Sequence, residues 1–176
     1  MNTPSNQLAE TTSAEAEVEA VIYATADRWN SQNFSTVLEL WDPDEEVPFY
    51  LAEEQDNWFI GWEPLKAYLD PPTPSPAVQG IREEMRNINV KFIGPDLAIA
   101  AWEMHFEMKI IGQNPIGEEV RVSAVLRRKP EGWRYIHWAE SPMTAMMYIK
   151  KLYERDVVEE KFRPCHERAM ARHGYS

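Results

Sequence analysis

The amino-acid sequence predicts an α+β half-barrel: a curved, mostly antiparallel sheet wrapped around N-terminal helices, with one added helix at the C-terminus. Three observations carry this reading. Helix-period apolar spacing is confined to the two ends and one short central segment. Long alternating segments follow one another between residues 81 and 140. Helices and strands do not alternate one for one, which disfavours a doubly wound parallel sheet. At 176 residues, 44% apolar and 27% charged, the chain suits one domain with a sizeable core rather than two.

Residues 1–14, mostly small and polar, read as a disordered tail. From Glu15 onward, Val18, Val21, Ile22, Ala26 and Trp29 recur at helical spacing, with Glu15, Glu17 and Glu19 at the positive end of the helix dipole. Residues 30–33 break this helix, and a second short one spans 34–41, ended by Pro43. Residues 47–51 and 58–60 read as strands, Gly61 as a turn, and 63–69 as a helix with Pro64 in its first turn. The prolines between Asp70 and Pro76 demand a stiff, extended loop. Residues 81–93, 97–111, 120–128 and 133–140 alternate as long strands, joined by turns at 94–96 and 129–132. Pro142 opens the last helix, which carries Met143, Met146, Ile149, Tyr153 and Phe162. The expected layout is a tail at 1–14, a domain at 15–141 and a helical extension at 142–176.

Strand parity sorts the side chains further. From Ala98 to Ile110 the even positions are apolar, while Glu103, His105, Glu107 and Lys109 are polar. Arg82, Glu84 and Arg86 on the preceding strand, with Arg121 and Arg127 on the following one, complete a cross-strand charge ladder on an outer face. Glu83, Met85, Asn87 and Asn89 then face inward, beside Trp102, Met104 and Phe106. A carboxyl buried there without a partner costs several kcal/mol or titrates high, which proteins keep mostly where function needs it. The alternative is a Glu83 at the strand end, in water. In the last strand Tyr135 and His137 share one parity, and Arg134, Ile136, Trp138 and Glu140 the other. Both sets contain apolar groups, so the inward set stays open, and His137 is either a packed residue or a proton-transfer group.

Composition excludes several functions. With 18 basic and 29 acidic residues, net −11, the chain is repelled by nucleic-acid phosphates. The longest apolar run, residues 97–102, is far shorter than the ~20 residues of a membrane span. No secretory pattern opens the sequence, so a cytoplasmic setting is expected. The single cysteine, Cys165, excludes an intrachain disulfide and a cysteine metal site. No Gly-rich phosphate loop or zinc constellation occurs, so neither cofactor nor metal is expected. Seven tryptophans point to an unusually aromatic core or to a flat ligand.

Three strings carry a resemblance: Tyr23-Ala-Thr-Ala-Asp-Arg-Trp-Asn-Ser-Gln-Asn-Phe34, Phe59-Ile-Gly-Trp-Glu-Pro-Leu-Lys-Ala-Tyr68 and Glu131-Gly-Trp-Arg-Tyr-Ile-His137. In this order and spacing they resemble the first helix and its exit, the Gly-led third helix and the final Gly-Trp strand of the nuclear transport factor 2-like superfamily. That superfamily includes ketosteroid isomerase, the polyketide cyclases and scytalone dehydratase. The resemblance implies a cone around a deep pocket and mostly cofactor-free isomerisation, dehydration, cyclisation or lyase chemistry on flat hydrophobic molecules. It also includes members without known catalysis. The relatives' catalytic sets do not carry over. The oxyanion tyrosine, base aspartate and protonated aspartate of ketosteroid isomerase correspond to Thr25, to Phe49 or Tyr50, and to Ala124. The first-helix tyrosine and aspartate of scytalone dehydratase become Trp29 and Asn30. Its first-strand tyrosine becomes Phe49, and its two pocket histidines fall near Glu83 and Met108.

The expected function is a cofactor-independent lyase, dehydratase or isomerase acting by acid–base chemistry on a small aromatic, lignin-like phenolic or polycyclic substrate. Glu83 or His137 would move the proton, and Asn87, Tyr23 or Arg134 would polarise a hydroxyl or carbonyl. Trp29, Asn30, Phe49, Trp58, Trp62, Trp102, Phe106, Arg134 and Tyr135 would contact the ligand. The alternative is a non-catalytic ligand-binding or subunit-assembly module of the same fold. The charge ladder suggests a self-complementary face and hence a homodimer.

Overall fold

In the computed structural model, residues 4–71 and 77–173 are described. Helix α1 (Pro4–Asn30) leads into a 3-10 helix (Phe34–Leu40), strands β1 (Phe49–Leu51) and β2 (Phe59–Ile60), and helix α2 (Trp62–Leu69). Four long strands follow: β3 (Val78–Phe92), β4 (Leu97–Ile110), β5 (Ile116–Lys129) and β6 (Gly132–Pro142). Helices α3 (Ala145–Arg155) and α4 (Glu159–His173) complete the order. The strands form one open sheet, β2-β1-β6-β5-β4-β3. Every pairing is antiparallel except that of β1 with β6. This is the expected α+β half-barrel. Backbone contacts divide the chain after Pro142 into one unit of Met1–Pro142 and another of Met143–Ser176.

The core lies on one face of the sheet. Ala98, Ala100, Trp102 and Met104 of β4 and Val120, Val122, Ala124 and Leu126 of β5 are buried there, as are Val18, Ile22 and Ala26 of α1. The opposite face carries the charge ladder: Arg82 pairs with Glu84 and Glu107, Arg86 with Glu84 and Glu119, and His105 with Glu119. Two glycines make turns that a side chain would strain. Gly61 (φ +87°) starts α2 with its N–H on the Pro48 carbonyl, and Gly132 (φ +115°) closes the β5–β6 hairpin.

Several boundaries differ from the sequence reading. The backbone of α1 is helical from Pro4 rather than from Glu15, in a segment containing the helix formers Gln7, Leu8, Ala9 and Glu10. Strand β5 begins at Ile116 rather than Val120, because Met108 pairs with Ile116 and lengthens the hairpin. Pro142 ends β6 opposite Val120 instead of opening a helix. The extension is two helices rather than one, parted at residues 156–158 by Asp156, Val157 and Val158, which are weak helix formers. Residues 72–76 of the proline-rich loop lie outside the described residues. Among the described residues no helix is long and apolar enough to cross a membrane.

Two bulges decide which side chains meet. Arg86 pairs with Glu103 but Asn89 with Ala101, so β3 carries one extra residue between them, and Asn87 there has φ +53°. Val125 pairs with His137 but Leu126 with Tyr135, leaving Ile136 as the extra residue of β6.

Candidate functional site

Glu83 lies on the core face of β3, which excludes the water-exposed strand-end alternative. It is only 9% exposed, and its Oε2 is buried without a hydrogen-bond partner. Its cross-strand neighbour is Phe106, and Met85, next on the same face, accepts the Trp102 indole N–H through its sulfur at 3.1 Å. Burial pushes the Glu83 carboxyl well above the usual carboxylate range, and the Glu53 carboxyl adds to the shift.

The backbone beneath this carboxyl is held by α1. β3 is an edge strand, so its outer N–H and C=O groups need partners from elsewhere. The Asn30 side chain supplies both: its Nδ2 donates to the Glu83 carbonyl at 2.9 Å, and its Oδ1 accepts the Glu83 N–H at 2.7 Å. Gln32 does the same for Ile81, at 2.7 and 3.0 Å, with φ +61° turning its amide toward the strand. Asn30, expected to contact the ligand, thus positions Glu83 through its backbone.

A second buried carboxyl, Glu140 on β6, was not legible as a site residue. It accepts hydrogen bonds from the Trp138 indole (2.6 Å), the Glu53 N–H (3.1 Å) and the Tyr50 hydroxyl (3.4 Å). Burial and the neighbouring Glu53 carboxyl nevertheless raise it well above the ordinary range. Burial likewise raises the phenols of Tyr50, Tyr68 and Tyr135, with nearby carboxylates adding. Tyr135 lies 3.0 Å from the Thr25 hydroxyl, whose own proton goes to the Val21 carbonyl, so Tyr135 is the donor. Trp138 packs edge-on to Trp102 and to Tyr135, with ring centroids 4.9 and 5.3 Å apart. Glu53, Glu54 and Glu140 place carboxylate oxygens within 4.8 Å of one another, a geometry open to a cation. Glu140 and Glu54 already accept protein hydrogen bonds there, the latter from Tyr68 at 2.7 Å.

Glu83, Trp102, Phe106 and Tyr135 are therefore gathered on the core side, with Trp29 packed at its margin against Phe34. The other candidates lie elsewhere. Asn87, turned out by the β3 bulge, is exposed and donates to Glu103 at 2.8 Å. His137, flipped by the β6 bulge, stands on the outer face with Phe49 and Trp58, at centroid distances of 6.2 and 5.6 Å. Partial burial lowers its imidazole. Tyr50, next to Phe49, is the first-strand residue that points inward. Tyr23 is 48% exposed on α1. Trp62 and Arg134 line a separate open groove of about 690 Å³ with Trp41, Lys66 and Lys129. The Trp62 indole is fixed there on the Glu45 carbonyl at 2.7 Å.

Comparisons with known proteins agree with this architecture. No curated protein matches the chain. Among solved structures, a nuclear transport factor 2-like family protein from Streptomyces avermitilis, designated a dehydratase, superposes with a TM-score of 0.65 at 17% identity, covering 76% of this chain and 99% of that one. A protein from Novosphingobium aromaticivorans designated a scytalone dehydratase gives 0.64 at 10% identity, covering 81% and 89%. The association domain of C. elegans CaMKII gives 0.56 at 21% identity, covering 74% and 96%. At these identities the likeness is one of fold. The sequence model of the SnoaL-like domain matches residues 18–146, from the buried face of α1 through every strand of the sheet. By that match the chain belongs to the SnoaL-like domain family, and its fold is that of the nuclear transport factor 2-like proteins it superposes on.

Proposed function

We propose that the region around Glu83 is an acid–base site where a small aromatic or polycyclic molecule undergoes a cofactor-independent lyase, dehydratase or isomerase step. The Glu83 carboxyl carries this reading. It is buried, one oxygen lacks a donor, and its backbone N–H and C=O are both held by the Asn30 side chain. A carboxyl kept neutral by burial can protonate a leaving hydroxyl or a carbonyl oxygen. The resulting carboxylate can then take a proton from the adjacent carbon, so an elimination returns Glu83 to its starting state with water as the second product. The indoles of Trp102 and Trp138 supply area and ring edges for a flat substrate. Two solved structures of this fold designated dehydratases support the reaction class by analogy. The test is turnover of phenolic dimers and flat polycyclic compounds without added cofactor. Glu83→Gln should lower the rate by about two to four decades with affinity kept within a few-fold, and Glu103→Gln, on the outer face, should change little. An active Glu83→Gln enzyme refutes the assignment.

A second reading concerns assembly. Phe49, Trp58 and Ile60 are 41%, 44% and 54% exposed at the β1–β2 edge of the sheet. Phe49 and Trp58 border His137 on the outer face of the sheet, the face that also carries the charge ladder. Association domains are among the proteins that share the fold. We read this face as the contact of a homodimer. Light scattering at micromolar concentration should give a dimer mass that Trp58→Glu reduces to the monomer, and a wild-type monomer refutes the reading.

A further inference from the structure

We propose that the open groove formed by the 3-10 helix and the segment after it, α2 and the β5–β6 hairpin binds a small aromatic carboxylate. The groove measures about 690 Å³, within the ordinary size of small-molecule sites. Its lining shares no residue with the group gathered around Glu83, so the proposal goes beyond the acid–base reading and does not depend on it. The protein itself fixes the walls. Trp41, the buried part of the lining, packs on Tyr50 and Tyr135 with ring centroids 6.0 and 5.9 Å away. Asp42, fully buried, ties the segment after the 3-10 helix to the hairpin. Its N–H donates to the Tyr135 carbonyl at 2.9 Å, and its carboxylate pairs with Arg127 at 2.7 Å and Lys129 at 3.3 Å. The Trp62 indole, donating to the Glu45 carbonyl at 2.7 Å, ties α2 to the same segment.

The charged residues of the lining are Glu39, Asp44 and Glu131 against Lys66, Lys129 and Arg134. Ion pairing makes their balance positive. Asp44 is taken by Lys129 at 2.5 Å, and Glu39 by Arg28, a base from outside the lining, at 3.2 Å. Among the described residues Lys66 and Arg134 pair with no carboxylate. Lys66 instead stands over the Trp62 ring, 5.4 Å from its centroid, and Arg134 donates to the Trp133 carbonyl at 3.0 Å. The rest of the Arg134 guanidinium fork is left for a ligand. Glu131, exposed on the hairpin, is the one acid of the lining without a base. Two unpaired bases therefore stand against one unpaired acid, beside apolar surface from Leu38, Pro43 and Trp62. An aromatic carboxylate matches both features. Its ring covers the apolar surface, and its two oxygens suit the planar fork of an arginine. The same ring bearing an ammonium would meet two unpaired cations, and a neutral one would forgo the charge-assisted bonds.

Calorimetry at pH 7 with 1-naphthoate, 1-naphthalenemethanol and 1-naphthylmethylamine compares one ring with three charges. The naphthoate should bind about tenfold more tightly than the alcohol, with the amine weakest. Arg134→Gln should lower naphthoate affinity about tenfold, and Lys66→Gln, at an exposed position, about threefold. Both should leave the alcohol within about twofold of wild type, since neither removes apolar surface. Arg82→Gln removes the same charge from the outer face of the sheet and should change naphthoate binding by less than about twofold. A naphthoate bound no more tightly than the alcohol, or not bound at millimolar concentration, overturns the proposal even where a variant does not fold. Equal losses from Arg82→Gln and Arg134→Gln would reduce the effect to net charge and overturn it as well. Naphthoate binding that survives Arg134→Gln but is lost in Glu83→Gln would place the ligand at the acid–base site, so the groove proposal falls while that reading stands.

Discussion

Glu83→Gln keeps the side-chain shape and removes its titration, so it isolates the contribution of one buried carboxyl to stability. Burial raises the folded-state Glu83 above its ordinary value of 4.5. Between those two values the native protein holds a proton that the unfolded chain has released. Stability from this group is complete below the ordinary value and is lost as pH rises through the folded one. The slope is about 1.4 kcal/mol per pH unit for one proton. In a chain of 176 residues that moves the melting temperature by about 3–5 °C per unit. Glu140, raised by its own burial beside Glu53, contributes a similar slope, so the substitution should remove about half of the fall. Partly buried His137 sits below its ordinary 6.5. Its contribution is complete above that value and lost on acidification, the opposite sign, and it is common to both proteins. Scanning fluorimetry from pH 5 to 8 at fixed ionic strength should show the wild type losing stability more steeply than the variant. The absolute melting temperature of the variant is not diagnostic, because the new amide brings its own buried donors. Parallel pH profiles would refute the neutral, buried Glu83.

Two further substitutions test the supports of the site. Asn30→Ala removes both side-chain hydrogen bonds to the Glu83 backbone and should cost about 1–3 kcal/mol in urea denaturation, with faster amide exchange at Glu83 than at residues of β5; unchanged exchange would show the clamp to be dispensable. Gly61→Ala has open space for its methyl group but a backbone at φ +87°, so about 1 kcal/mol should be lost from strain alone, read as a fall of about 2–4 °C in melting temperature.

The fold was legible because its signals are periodic and long. The alternation from Ala98 to Ile110 names the buried face of β4, and the Gly-containing turns at 94–96 and 129–132 separate the strands that pair with it. Ends were less legible, for local reasons. Ile116 and Gly117 offer too short an alternation to announce that β5 starts there, and only the pairing of Met108 with Ile116 brings them into the sheet. Pro142 looks like a helix opener because proline is favoured in a first helical turn, yet the last position of a strand tolerates it equally. In the extension, the apolar residues from Met143 to Phe162 recur without a glycine, and the break at 156–158 comes from weak propensity rather than from a strong stop signal.

The site was legible only as far as the bulges. Counting parity from β4 places Glu83 and Met85 inward, and both are buried. The same count places Asn87 beside them, but the extra residue in β3 turns it out and hands the inner face to Ile88, Val90 and Phe92. An asparagine tolerates the left-handed backbone found there, which is a sequence trace of the bulge, though a faint one. Ile136 gives no trace at all, since a β-branched residue is ordinary in a regular strand. Its effect on the site is larger. In an unbulged β6, Tyr135 and Glu140 would face opposite sides, and the core side would hold the phenol or the carboxyl but never both. The one inserted residue brings Trp133, Tyr135, Trp138 and Glu140 to the same face and sends His137 away from it. The carboxyl-bearing, aromatic character of that face is thus a product of register rather than of composition.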